Sequence, residues 1–206
     1  MSDTKEKILS AALKLFARDG YEAVSVSEIA GEIGITKGAL YKHYKNKRDI
    51  FDSIVERMYS TDAERSREFE VPENKYGSDP RAYKRVSADD VKSFTLAQFD
   101  YWTKDPFASD FLKMLTIESY RDAEAAKLYD SCICGGPVLY MKDIFSEMMQ
   151  NGILKKSDPY ILALEFYSPL YLLIKLYDNS DDKENLSVIL SNHVDLFFEN
   201  NLVIEN

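Results

Sequence analysis

The segment from residue 35 to residue 48 carries positive charge and contains no carboxylate. Its cations, within fourteen residues, are Lys37, Lys42, Lys45, Lys47 and Arg48. The chain as a whole has a net charge of −9. However, salt screens a charge beyond about 10 Å, so the local charge decides what this segment binds. Five cations in so short a stretch favour a polyanionic partner, of which the DNA phosphate backbone is the first candidate.

The charge is divided unevenly along the chain. Residues 1–50 have a net charge of +2, whereas the remaining residues have a net charge of −11. We therefore predict that one end of the protein attracts DNA while the rest repels it.

Three side chains within this segment are suited to reading bases. Lys37 can donate hydrogen bonds to guanine O6 and N7. Gly38 has no Cβ, so the backbone there can approach DNA closely. Tyr41 follows Lys37 by one helical turn and offers a ring for a thymine methyl and a hydroxyl for a phosphate.

A second group of side chains is suited to contacts with the phosphate backbone. A competing interpretation makes Thr36 and Ser25 helix caps only, and Lys42 and Lys45 ordinary solvated charges. It also assigns Leu40 and Tyr44 to the core. The predicted backbone-contacting residues are Ser25, Ser27, Thr36, His43 and Lys47.

Short helices must position these residues. Ser25 and Glu28 have the spacing of a capping box, and Gly34 then offers a tight turn. Thr36 can cap a third helix, and Asn46 can open a fourth. Two short helices joined by a glycine turn and packed on a longer first helix make a helix-turn-helix.

The same residues carry a family resemblance. Ser25-Val26-Ser27-Glu28-Ile29-Ala30 and the run from Gly34 to Lys47 (GITKGALYKHYKNK) resemble the N-terminal signature of TetR-family regulators. Matching positions cover residues 5–51. The resemblance implies a DNA-binding transcriptional regulator, usually a repressor, with an all-helical body that binds a small molecule and forms a dimer.

We predict an all-α fold of about nine to ten helices. A helix-turn-helix domain takes residues 1–47, and a linking helix follows over 47–69. A helical domain for effector binding and dimerisation takes residues 70–206. The Pro- and charge-rich stretch 71–90 is predicted to join the two domains. Gly135-Gly136-Pro137 is predicted to kink a helix over 122–150.

The last two predicted helices are the expected dimer interface. The helix over 159–178 is apolar nearly all round, which indicates burial on more than one side. With the helix over 183–200, it can supply half of a four-helix bundle completed by a second subunit. A homodimer is also what a palindromic operator in double-stranded DNA requires.

The body has aromatic stripes that contain polar atoms, a pattern typical of small-ligand pockets. The competing interpretation is ordinary core packing, and the identity of an effector cannot be read from the pattern. The candidate ligand-binding residues are Gln98, Trp102, Phe111, Tyr120, Tyr140 and Tyr167.

Other functional classes find little support. The sequence contains no recognisable metal set, phosphate loop or nucleophile–His–acid arrangement, so we predict neither a cofactor nor an enzyme. Cys132 and Cys134 are interpreted as structural cysteines, although a redox role stays open. No apolar run reaches the length of a membrane span, and no signal peptide is recognisable. We therefore expect a cytoplasmic protein.

The leading hypothesis is a homodimeric repressor that a small molecule releases from its operator. Two alternatives remain from the sequence. One is a transcriptional activator, and the other is a DNA-bound helical interaction protein that needs no effector.

Overall fold

Helices make up the regular structure of this protein in the computed structural model, which describes residues 3–73 and 77–203. The described part contains eleven helices, two of which, α3 and α5, are only four residues long. The all-α prediction is confirmed. The helices are α1 (Asp3–Asp19), α2 (Val26–Glu32), α3 (Lys37–Leu40), α4 (Lys47–Glu68), α5 (Pro80–Tyr83), α6 (Ala88–Lys104), α7 (Pro106–Glu118), α8 (Ala123–Ile133), α9 (Gly135–Gln150), α10 (Pro159–Tyr177) and α11 (Lys183–Asn201).

The chain divides into two units. The first takes the residues up to Thr61 together with Asp105–Tyr129, and the second takes Asp62–Lys104 and the residues from Asp130 onward. This division differs from the predicted one, because α4 crosses the boundary and a later segment returns to the first unit. The reason is that α7 packs along α1. Phe111, Met114 and Leu115 of α7 are fully buried there.

Local signals begin and end the helices of the first unit as the sequence predicts. Gly20 ends α1 with a φ of 87°, a left-handed conformation that glycine adopts without strain. Ser25 and Glu28 form the capping box of α2. The Thr36 side chain accepts a hydrogen bond from the Ala39 N–H and caps α3. Asn46 accepts from the Asp49 N–H at the start of α4.

The second unit is built around α10, which packs against α6, α9 and α11. Asp158 caps α10 by accepting hydrogen bonds from the N–H groups of Tyr160 and Ile161. Phenylalanine rings fill the space between the helices. The Phe166 ring lies 5.3 Å from Phe145 and 4.7 Å from Phe197, measured between centroids in edge-to-face pairs. Such pairs add packing energy beyond area burial.

The predicted joint at 71–90 is not a simple linker. It includes the short helix α5, and its residues Val71, Tyr83 and Val86 lie in the core of the second unit. Residues 74–76 of this stretch lie outside the described residues. These three apolar side chains therefore anchor the otherwise polar stretch 71–90 in the core of the second unit.

The predicted kinked helix over 122–150 is two separate helices. α8 ends at Ile133 and α9 begins at Gly135, with Cys134 between them in a non-helical conformation. The sequence predicts the position of the interruption correctly, but the structure has a complete break between two helices where a kink was expected. At the break, the Asp130 side chain and the Ser131 backbone of α8 lie so close to Gly135 and Gly136 of α9 that a Cβ at either glycine would overlap them.

We expect Gly136→Ala to destabilise the protein by about 2–3 kcal/mol, because inserting a carbon into a closely packed backbone forces a shift. A Cβ at residue 136 would overlap the backbone carbonyl of Ser131. Gly31→Ala is the matched control, since nothing lies within 4 Å of a Cβ there. It should stabilise α2 by up to about 1 kcal/mol. Urea denaturation measures both changes, and equal stability of the two variants would contradict the expectation.

Two further properties concern the described ranges 3–73 and 77–203. No helix within them has the length and apolar character needed to cross a bilayer. Within the same ranges, no three His, Cys, Asp or Glu side chains lie close enough together to hold a metal ion.

Candidate nucleic-acid interface

The helix α3 has one buried face and one exposed face. Leu40 is fully buried, and Tyr44, just beyond the helix, is 2% exposed. Both therefore belong to the core of the first unit, as one interpretation of the sequence has it. Lys37, Gly38 and Tyr41 are exposed. The residues predicted to read bases thus share the exposed side of α3.

The exposed face of α3 leaves room for a close partner. The Lys37 ammonium lies 5.8 Å from the centroid of the Tyr41 ring, so the cation and the ring are neighbours. A Cβ at Gly38 would meet only the Thr36 hydroxyl oxygen, at 4.0 Å. The packing of the protein therefore does not require glycine at this position, and backbone access by a ligand offers a reason for it.

The predicted phosphate contacts of α2 and α3 lie at the beginnings of these helices. Ser25 and Thr36 serve as caps, whereas Ser27 is exposed on α2. Hydrogen bonds from Ser25 lower the pKa of the Glu28 carboxyl. The Thr36 oxygen accepts a bond from the backbone, and a hydroxyl in this role keeps its proton for donation. His43, half-buried after α3, donates its backbone N–H to Leu40 O at 2.9 Å.

Lys47 has a role inside the protein that the sequence analysis did not predict. Its ammonium donates to Tyr21 O at 2.7 Å and to Glu22 O at 3.3 Å. It also lies 4.2 Å from the centroid of the Tyr21 ring. Lys47 therefore ties the start of α4 to the turn between α1 and α2. A phosphate contact by Lys47 remains a prediction, and such a contact would compete with these bonds or use the remaining N–H.

The basic segment is less positive in the structure than in the sequence. Arg48 donates to Asp52 Oδ1 at 2.7 Å and pairs in bidentate fashion with Glu124, at 2.6 and 3.0 Å. These bonds raise the pKa of the arginine and lower that of the Glu124 carboxyl. The carboxylates of Asp52 and Glu124 thus lie beside a surface that was expected to be free of acid. Glu124 was not anticipated because it comes from a distant part of the sequence. Arg48 is itself exposed, as are Lys37, Lys42 and Lys45 of the segment.

The structure also contains a site residue that the sequence analysis missed. Glu118 is buried at the end of α7, and its carboxylate accepts a hydrogen bond from the Tyr21 N–H at 2.9 Å. The available signal was a carboxylate at a stripe position, because Glu118 follows Phe111, Met114 and Leu115 at helical spacing.

Four of the six candidate ligand-binding residues lie in the second unit, and two of their hydroxyls are engaged. Tyr140 donates to Pro72 O at 2.9 Å, and burial raises the pKa of its phenol. Tyr167 donates to Ile133 O at 2.6 Å. Gln98 accepts a long bond of 3.4 Å from Arg65, and Trp102 is half-buried against Tyr101. The tyrosine hydroxyls therefore hold backbone segments in place.

The other two candidates lie in the first unit. Phe111 is fully buried in α7, and Tyr120 is 90% exposed just beyond the end of that helix. Tyr120 therefore does not line an enclosed pocket within the first unit, and a ligand contact by this residue stays a prediction. The apolar spacing of α7 suggested this residue from the sequence. However, α7 ends at Glu118, so Tyr120 does not continue the buried face of the helix.

Comparison with known proteins bears on the first unit most directly. Residues 8–54 match the model for bacterial regulatory proteins of the tetR family. The first unit therefore contains a domain that is similar to the N-terminal domain of that family. The matched range contains α2, α3 and each predicted DNA contact.

Curated relatives match a similarly limited part of the chain. The HTH-type transcriptional regulator AcrR of Shigella flexneri is 38% identical over 78 residues, which are 38% of this chain and 35% of AcrR. The HTH-type transcriptional repressor BepR of Brucella suis is 43% identical over 56 residues, 27% of each protein. The chain thus spans about a third or less of the length of the curated relatives it matches.

Solved structures extend the likeness to the fold of the whole chain. A SmeT–triclosan complex has a TM-score of 0.71 at 17% identity, covering 97% of this chain and 92% of SmeT. A transcriptional regulator from Saccharomonospora viridis in complex with choline has a TM-score of 0.67 at 18% identity and full coverage of both chains. At such low identity, these likenesses show the fold alone.

The domain that matches the family model contains a tyrosine whose ionisation should affect the stability of the protein. The Tyr44 hydroxyl donates to Lys5 O at 3.2 Å, and burial raises the pKa of this phenol to about 12. Because this pKa lies above the ordinary value of 10, the stabilising contribution is complete below pH 10 and is lost as the pH rises through 12. We expect Tyr44→Phe to be less stable by about 1 kcal/mol at pH 8, from the lost hydrogen bond.

That deficit should shrink between pH 10 and pH 12, because the variant has no phenol to ionise at this position. Chemical denaturation at closely spaced pH values measures it, with the exposed Tyr160→Phe as the matched control. A deficit that stays constant across this range would contradict the role assigned to Tyr44.

Proposed function

We propose that this protein is a sequence-specific DNA-binding transcriptional regulator that acts as a repressor and not as an enzyme. The observation that carries the proposal is the exposed face of α3. There Lys37, Gly38 and Tyr41 stand together, while Leu40 anchors the helix in the core. In a helix-turn-helix, this is the helix that enters the major groove. Such a protein works in the compartment that holds DNA, here the cytoplasm.

The proposed active form is a homodimer through α10 and α11. Both helices expose large apolar side chains, and an exposed apolar surface of some size marks an interaction site. On α10, Ile161, Leu172 and Leu176 follow helical spacing, as do Val188, Ile189 and Leu196 on α11. The same two helices were predicted from the sequence to form half of a four-helix bundle. A second copy of the chain can supply the other half.

Regulation by a small molecule is the second part of the proposal. Support comes from proteins of the same fold, one of which has been solved in complex with triclosan and another in complex with choline. In this chain, the candidate contacts are Gln98, Trp102, Tyr140 and Tyr167. A ligand that breaks the bonds from tyrosine to Pro72 or Ile133 would favour another arrangement of the second unit. The break between α8 and α9 and the crossing helix α4 are the proposed moving parts.

Selection from a random-sequence duplex library tests DNA recognition. We expect the full-length protein to enrich a palindrome whose half-sites are about one helical turn, or 34 Å, apart. Affinity for that duplex should fall steeply as salt is raised, because phosphate contacts release counterions. Enrichment of no sequence, or equal affinity for selected and scrambled duplexes, would contradict sequence-specific binding.

A further inference from the structure

The turn between α1 and α2 is held from two sides. From one side, the buried carboxylate of Glu118 accepts a hydrogen bond from the Tyr21 N–H at 2.9 Å. From the other side, the Lys47 ammonium donates to the carbonyls of Tyr21 and Glu22. Both polar groups of the Tyr21 backbone are therefore engaged by side chains distant in sequence.

The Tyr21 ring is also fixed. It lies edge-to-face with Phe16 of α1, at 5.1 Å between centroids, and with Phe51 of α4, at 5.4 Å. The neighbouring Gly20 allows the carboxylate to come close, since a Cβ there would lie 3.0 Å from Glu118 Oε1. The turn is thus closely packed from Gly20 through Tyr21. α2 begins five residues after Tyr21, so the position of this turn affects how α2 is presented.

The residues that reach the turn from α7 are themselves secured. We name residues 118–124, from the last residue of α7 to the second residue of α8, the α7–α8 corner. Arg121 lies 3.3 Å from the same Glu118 oxygen that accepts the Tyr21 N–H. Glu124 pairs with Arg48, the neighbour of Lys47 in α4. The corner therefore contacts both the α1–α2 turn and the start of α4 within the first unit.

We propose that Glu118 is a positioning residue for DNA binding, which acts by fixing the α1–α2 turn and hence the orientation of α2 and α3. This inference rests on the proposed DNA-binding function. It extends the functional unit beyond the matched residues 8–54 to the α7–α8 corner. When the helix-turn-helix is already oriented for binding, the protein loses less conformational freedom on binding DNA. Its apparent affinity for DNA is therefore higher.

Two conservative substitutions separate geometry from charge. Glu118→Asp keeps the negative charge but withdraws the carboxylate by one methylene, which breaks the bond to Tyr21. Glu118→Gln removes the charge but keeps a carbonyl oxygen in place to accept that bond. Simple electrostatics makes the opposite forecast, since removing an acidic charge from a DNA-binding unit strengthens binding and keeping it changes nothing.

We therefore expect Glu118→Asp to bind DNA about tenfold more weakly. This loss corresponds to a helix-turn-helix that is correctly oriented about one tenth of the time. Glu118→Gln should stay within about twofold of the wild type by the same argument. The probe is the duplex selected by the wild-type protein, and binding is followed by fluorescence anisotropy on the full chain. The matched controls are Glu56→Asp and Glu56→Gln, at an exposed carboxylate on α4 of the same unit.

Amide hydrogen exchange at Tyr21 distinguishes positioning from general stabilisation. A residue that only stabilised the unit would change exchange at Tyr21 and in the α1 core together. In Glu118→Asp this amide should exchange faster while the amides of the α1 core keep their protection; in Glu118→Gln it should stay protected. Wild-type affinity in a folded Glu118→Asp overturns the proposal. If that variant does not fold, Glu118→Gln decides, because a loss of tenfold or more there shows that charge and not the bond matters. A wild-type protein that selects no duplex instead refutes the DNA-binding function, while Tyr21 exchange still reports on the contact itself.

Discussion

Replacing Leu172 and Leu196 together by aspartate is expected to yield a folded monomer that has lost most of its affinity for the operator. The two leucines are 55% and 56% exposed on α10 and α11. A charge at either position therefore faces water in a single chain and leaves the core untouched. In the proposed dimer, the same positions are buried by the second copy.

The size of the effect follows from symmetry. Covering the remaining half of each leucine stabilises the dimer by about 1 kcal/mol, so four leucines contribute about 4 kcal/mol. Losing this amount weakens dimerisation about 1,000-fold, before the cost of desolvating the carboxylates is added. Operator affinity falls with it, because one short recognition helix then replaces two.

Sedimentation measures the oligomeric state, and anisotropy on the selected duplex measures DNA affinity. Leu139→Asp is the matched control, because Leu139 is 51% exposed on α9 of the same unit but outside the proposed interface. It should remain dimeric and bind DNA as the wild type does. A doubly substituted protein that is still a dimer at micromolar concentration would refute the interface on α10 and α11.

Lys37→Ala and Tyr41→Ala are each expected to weaken specific binding by about two orders of magnitude without unfolding the protein. A good base contact contributes about 1.5 kcal/mol, and the dimer makes each contact twice, so about 3 kcal/mol is lost. Both side chains are exposed, so alanine at either position removes no core contact. The fold should therefore be retained.

The two kinds of lysine contact can be told apart by their dependence on sequence and salt. Lys37→Ala should relax the preference at one base pair in each half-site. Lys45→Ala should weaken binding to all duplexes alike and reduce the slope of affinity against salt by about 1 per lost contact. Lys156→Ala, at an exposed lysine in the second unit, controls for overall charge. Full affinity in both Lys37→Ala and Tyr41→Ala would exclude α3 as the recognition helix.

The sequence by itself determined the features that depend on neighbours in the chain. The capping bonds at Ser25 and Thr36 each span three residues, so residue types and spacing are enough to predict them. The same holds for Gly20, whose positive φ stops α1. The periodic apolar residues likewise marked Leu40 and Tyr44 for burial. The all-α class, the helix-turn-helix and the match to the tetR-family model over residues 8–54 followed from such short-range signals.

Only the tertiary structure decided which charges remain available and where each helix belongs. Lys47 and Arg48 were predicted to be cations of an acid-free surface, yet Lys47 donates to Tyr21 O and Arg48 pairs with Glu124, both far away in sequence. Tyr120, expected in a pocket, became exposed because α7 ends just before it. α7 itself joined the first unit because its apolar face packs on α1. An ion pair or a helix contact between distant residues leaves no periodic trace in the chain, since its energy depends on a geometry that folding alone creates.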